Sequence, residues 1–70
     1  MKRQLTLKGD YITLGQLLKA ESLVGDGVEA KIRIQAGEAQ VNGEVDTRRG
    51  RKLYPGDLVL FDGVEIEVVR

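Results

Sequence analysis

The chain has no cysteine, no histidine and no tryptophan, a single proline, and three aromatic side chains, Tyr11, Tyr54 and Phe61. Without cysteine there is no disulfide and no thiolate metal site to hold the fold. Without histidine the commonest general base and the commonest metal ligand are both missing. A nucleophile would have to be Ser22 or a threonine with a lysine base, and no arrangement points to one, so the chain is read as non-catalytic and without a cofactor. Glu65 and Glu67, the most obvious paired carboxylates, sit at the alternating spacing of a solvated strand. No apolar run follows Met1-Lys2-Arg3-Gln4 that would suit a signal peptide, and none approaches membrane-spanning length, which leads us to expect a cytoplasmic protein with no membrane partner. Charge of one sign is also missing from the total, since eleven basic residues balance eleven acidic ones. Seventy residues make one small domain, here expected to be a monomer, with a thin core in which each large apolar residue counts.

What is present is organised around Gly25 to Lys52. A helix is expected to open at Asp26, whose carboxylate caps the first turn with Glu29 three residues on, and to end near Ala36, where Gly37 supplies left-handed backbone angles. Ala39-Gln40-Val41 alternates in polarity, Asn42-Gly43 is a strong hairpin signal, and Glu44-Val45-Asp46 is the return strand. The chain then enters Thr47-Arg48-Arg49-Gly50-Arg51-Lys52, four positive charges with no acid among them. Segregated charge gives a neutral protein a positive face, because distant groups are screened, although the neutral total caps the affinity expected for a polyanion.

Before this unit, Gln4 to Leu7 alternates as a short strand, and Lys8-Gly9-Asp10 forms a turn. Thr13 caps the first helix with Gln16 as its capping-box partner, Ile12 and Leu17 occupy the staple positions, and Leu14, Leu17, Leu18 and Val24 supply the inward face. In the second helix Val28, Ile32 and Ala36 form one apolar stripe and Ala30 and Ile34 another nearly opposite. Two stripes predict a helix sandwiched between the first helix and a sheet. Lys31 and Gln35 fall in the narrower gap between them, where a lysine stem lies along apolar neighbours with its ammonium at the edge. After the basic loop, Pro55-Gly56 suits a type II turn, Leu58 to Phe61 is an apolar strand, Asp62-Gly63 is a second hairpin turn, and Val64 to Val68 alternates with its glutamates in water. The predicted order is strand, helix, helix, then four short strands.

The order of elements and certain residues together resemble a known family, the RNA-binding domain first described in the fourth protein of the small ribosomal subunit. The residues that carry the resemblance are Gly37-Glu38-Ala39-Gln40-Val41-Asn42-Gly43, Thr47-Arg48-Arg49 and Tyr54-Pro55-Gly56-Asp57, within roughly Ile12 to Phe61. The chain is similar in particular to the short, free-standing bacterial YaaA and YbcJ type, through Gly27-Val28-Glu29-Ala30-Lys31 and the run from Asn42 to Arg48. The resemblance implies an α+β fold with two short helices on a small curved antiparallel sheet, the alpha-L motif. It also implies binding of structured RNA, ribosomal RNA foremost, with ribosomal subunit proteins as further partners. Larger members usually begin the two helices with arginines that contact phosphates, where this chain has Thr13-Leu14-Gly15 and Asp26-Gly27. The RNA contacts are accordingly expected at Lys31, Arg33, Arg48, Arg49, Arg51 and Lys52, although Arg33 also stands four residues after Glu29 and suits an ion pair with it. With so few aromatics no stacking platform for single strands is expected, and Tyr54 is the one ring placed to stack. The alternative reading is a protein-interaction module using the N-terminal strand or Val64 to Val69 as an open sheet edge.

Overall fold

The computed structural model describes all residues from Met1 to Arg70. Local signals decide most of the elements. Thr13 caps helix α1 (Leu14–Ala20): its side chain accepts from the Gln16 amide while the Gln16 side chain accepts from the Thr13 amide, a complete capping box. Asp26 caps α2 (Gly27–Gln35) by accepting from the Glu29 amide at 2.8 Å. Glu29 does not close the box on Asp26; its carboxylate accepts instead from Gly25 N, one residue earlier. Gly37, at φ +85°, ends this helix and turns the chain into the sheet.

Seven strands surround the helices: β1 (Lys2–Thr6), β2 (Ile12–Thr13), β3 (Ala39–Val41), β4 (Glu44–Val45), β5 (Lys52–Leu53), β6 (Leu58–Phe61) and β7 (Val64–Val69). Five form one sheet in the order β1-β7-β6-β3-β4, and β2 and β5 form a separate two-stranded ladder. The hairpin turns are those expected, with Asn42 and Gly43 at φ 52° and 87° and Asp62 and Gly63 at 51° and 74°. The two-helix, curved-sheet architecture stands, but the large sheet is mixed rather than antiparallel, because β1 runs parallel to β7. Strands joined through most of the chain's length are free to pair in either direction, and no turn residue constrains the choice.

Alternation places the core. Leu5, Ala39, Val41, Val59, Phe61, Ile66 and Val68 lie on the covered face, while Leu58, Leu60 and Glu67 face solvent. Both helices pack on the covered face, α1 through Leu14, Leu17 and Leu18 and α2 through Ala30 and Ile34. Only one of the two apolar stripes of α2 is therefore buried. Val28 and Ile32 are 67% and 63% exposed, so α2 is a surface helix and not a sandwiched one. The apolar side chains outnumber the layers available to cover them, which a domain this small cannot avoid. No helix is long and apolar enough to cross a membrane.

Strand β7 pairs with β1 from Glu65 to Val69 and, on its other side, with β6 from Val64 to Glu67 and with the Gly56-Asp57 turn at Val68, so it is interior and not an open edge. The sheet ends at β1 and β4.

Candidate functional site

The basic loop between β4 and β5 is built into the fold rather than extended into solvent. Asp46, 7% exposed, sits just past β4 and accepts from Arg48 N at 2.9 Å, Arg48 Nε at 3.1 Å, Arg48 Nη2 at 2.8 Å and Arg51 Nη1 at 2.6 Å. The Arg48 guanidinium, then its amide and Arg51, hold the Asp46 carboxyl far below the usual carboxylate range against the opposing effect of burial, and Asp46 in turn raises Arg48. A second set of bonds fixes the loop backbone to α1: Leu14 N donates to Arg51 O at 2.8 Å and Gly15 N to Arg49 O at 3.0 Å. Within the loop, Arg51 N donates to Arg48 O.

These bonds settle what the helix ends contribute. The first amides of α1 go to loop carbonyls and to Thr13, and the α2 terminus holds its own Asp26 carboxylate. The α1 end therefore presents no free amide to an anion, and at α2 the Asp26 carboxylate offsets the positive end of the helix, so attraction for a polyanion rests chiefly on side chains.

Among the expected residues, Arg33 is taken up by the fold. Its guanidinium makes a two-oxygen contact with Asp62 at 2.7 Å, donates to Glu38 at 2.9 Å, pairs with Glu29 at 3.7 Å, and lies 4.4 Å over the Phe61 ring. It ties α2 to the β6–β7 turn. Arg48 and Arg51 are partly committed to Asp46, although the Arg48 side chain remains 68% exposed. Lys31 and Arg49 are exposed and have no acidic partner within 4.0 Å. Lys52 is exposed too, with its ammonium 5.0 Å from the centre of the Tyr11 ring.

Lys19, on the last turn of α1, is a further unpaired cation that spacing alone does not single out. Together with Arg49 it lines a groove of about 350 Å³ whose other walls are Thr13, Gly15, Gln16, Gly27, Ala30 and Gly50. The groove runs between the two helices and the loop. The Arg49 stem packs directly on Gly15, where a Cβ would lie 2.7 Å from Arg49 Cγ. Lys31 stands one helical turn beyond Gly27, which lines the groove, but does not itself line it. A second concavity, of about 470 Å³, between the β3–β4 hairpin and the loop carries Arg48 and Arg51 but also Glu44 and Asp46, and is electrically mixed. The one sequence signal that Lys19 carries, no acid one helical turn away, it shares with Lys31.

The turn residues shared with the resembled family serve the scaffold. Asn42 Nδ2 donates to Asp57 Oδ1 at 3.1 Å, Asn42 Oδ1 accepts from Leu58 N, and Asp57 Oδ2 accepts from Tyr54 N. The Asn-Gly hairpin and the Pro-Gly-Asp turn thus clasp one another.

Residues 5–69 match the family model described as the S4 domain. The chain is 43% identical over 63 residues to a probable ribosome maturation protein, RlbA, of Bacillus subtilis, covering 90% of this chain and 89% of that one. It is 39% identical over 62 residues to the putative RNA-binding protein YbcJ of Escherichia coli, covering 89% of each. The solution structure of YbcJ from E. coli, described as revealing an alfaL motif involved in RNA binding, superposes with a TM-score of 0.72 at 37% identity, over 96% of this chain and 86% of that one.

Proposed function

The chain belongs to the S4 domain family, and from that premise we propose that it binds structured RNA without catalysing a reaction, as a cytoplasmic, ribosome-associated factor whose target is ribosomal RNA in an assembling subunit. The observation that carries this reading is the groove between α1, α2 and the loop, where Lys19 and Arg49 stand unpaired and the loop backbone is hydrogen-bonded to α1. Lys31 follows the groove residue Gly27 by one helical turn of α2, and Arg48, Arg51 and Lys52 flank Arg49 in the chain. The names of the relatives support the same reading, one as a ribosome maturation protein and one as an RNA-binding protein. Arg33 is left out of the proposed surface, because its donors are already used. Cations on a fixed surface suit the phosphates of a folded RNA, which position a protein without reading sequence.

The test is titration into bulk ribosomal RNA at low and physiological salt, comparing the protein with a Lys19→Gln, Lys31→Gln, Arg49→Gln variant. Glutamine keeps most of each stem, so the fold should be retained. Three to five phosphate contacts correspond to a log-log salt slope of roughly −2 to −5, which the variant should flatten along with a loss of affinity. Equal binding by the two proteins would reject the groove, and no binding by either at low salt would reject the RNA reading itself.

A further inference from the structure

The ladder of β2 and β5 pairs Ile12 with Leu53 and Thr13 with Lys52 in antiparallel register. One rung further out, Tyr11 stands opposite Tyr54. Side chains alternate along the ladder, so Ile12 and Leu53 turn toward the core while Tyr11, Thr13, Lys52 and Tyr54 share the other face. The two rings meet with centroids 6.2 Å apart and planes 52° to each other, and they remain 44% and 49% exposed. The Lys52 ammonium lies 5.0 Å from the Tyr11 ring centre. Thr13 also lines the cationic groove, and β5 is the direct continuation of the Arg48 to Arg51 loop. Residues separated by most of the domain thus build a small aromatic platform at the end of the basic surface.

We propose that this platform, Tyr11 and Tyr54 with Lys52, stacks an unpaired base of the RNA whose phosphates lie along the groove. The inference rests on the RNA reading and narrows its ligand to a folded RNA with a bulged or looped-out nucleotide beside a helical stem. Each nucleobase presents a π face, so tyrosine stacking accepts it with little sequence preference. An ammonium at the ring supplies both a cation–π contact and a charge near the phosphate that follows the stacked base. Two tyrosines exposed by nearly half, on a two-residue ladder that needs only Ile12 and Leu53 to pack, have no comparable use within the core. The acids nearest the platform are Asp10, next to Tyr11 in sequence, and Asp57, whose carboxylate accepts from the Tyr54 amide, and Lys52 pairs with neither.

The chain has two tyrosines and no tryptophan, so its emission reports on this platform. The probes are a short RNA hairpin with one bulged adenosine and the same hairpin fully paired. The protein should bind the bulged hairpin more tightly, with tyrosine emission quenched after correction for RNA absorbance. A Tyr11→Leu, Tyr54→Leu variant, shown to be folded by circular dichroism, should lose about five- to a hundredfold in affinity for the bulged form alone. Tyr54→Phe, which keeps the ring, should bind as the parent does. If both hairpins bind equally and emission does not change, the platform is refuted while RNA binding stands. If neither hairpin binds at low salt while bulk ribosomal RNA does, the platform is refuted alone; if ribosomal RNA fails to bind as well, the RNA reading fails and the platform fails with it.

Discussion

Asp46→Asn removes one charge and almost no volume from the anchor of the basic loop. The substitution keeps an oxygen for the Arg48 amide and Nε, but turns an NH2 group toward Arg48 Nη2 and Arg51 Nη1, which are donors at 2.8 and 2.6 Å from the native oxygen. Removing one partner from a buried ion pair costs about 3–5 kcal/mol when the other charge is stranded. Here the Arg48 side chain is 68% exposed and rehydrates, so we place the cost lower, at about 2 kcal/mol. In a domain of this size that corresponds to a Tm lower by about 8–16 °C, measurable by circular dichroism or calorimetry. The pH dependence carries a sign. The Asp46 carboxyl has its folded pKa pushed down, chiefly by the Arg48 side chain. Its stabilisation is therefore complete above the ordinary value of about 3.9 and is lost as the pH falls below that toward the depressed folded value. The gap between parent and variant should stay constant from pH 7 to about pH 5 and narrow below about pH 4. A Tm within about 2 °C of the parent at pH 7, or a gap that does not close in acid, would refute the clamp.

Arg33→Ala should lower the Tm, because it unties α2 from the β6–β7 turn, while leaving affinity for ribosomal RNA unchanged; lost affinity in a folded variant would return Arg33 to the binding surface. The two stripes of α2 should separate in denaturant melts. Ile34→Ala, at a fully buried site, should cost about 2–4 kcal/mol, whereas Ile32→Gln on the exposed face should change stability by less than about 0.5 kcal/mol. Gly37→Ala should cost about 1–2 kcal/mol, purely from the left-handed backbone, since a Cβ there meets only Val45 Cγ1 at 3.6 Å. A neutral result in urea unfolding would mean that the helix end shifts to relieve the angle.

What the sequence by itself determined about this protein is what adjacent residues decide. Thr13 and Gln16 cap a helix wherever they stand, Asn42-Gly43 turns a hairpin without outside help, and the order of these signals already resembled the family to which the chain belongs. The basic loop was legible in the same way, as a run of charge. The tertiary structure alone decided which cations remain free. Arg33 meets Asp62 across 29 positions, and Lys19 joins Arg49 across the glycine at position 15. It also decided that β1 runs parallel to β7, that α2 buries only one stripe, and that Tyr11 lies against Tyr54. Local preferences act over one turn of chain, whereas pairing, burial and charge neutralisation depend on which distant segments the packed core brings to the same place.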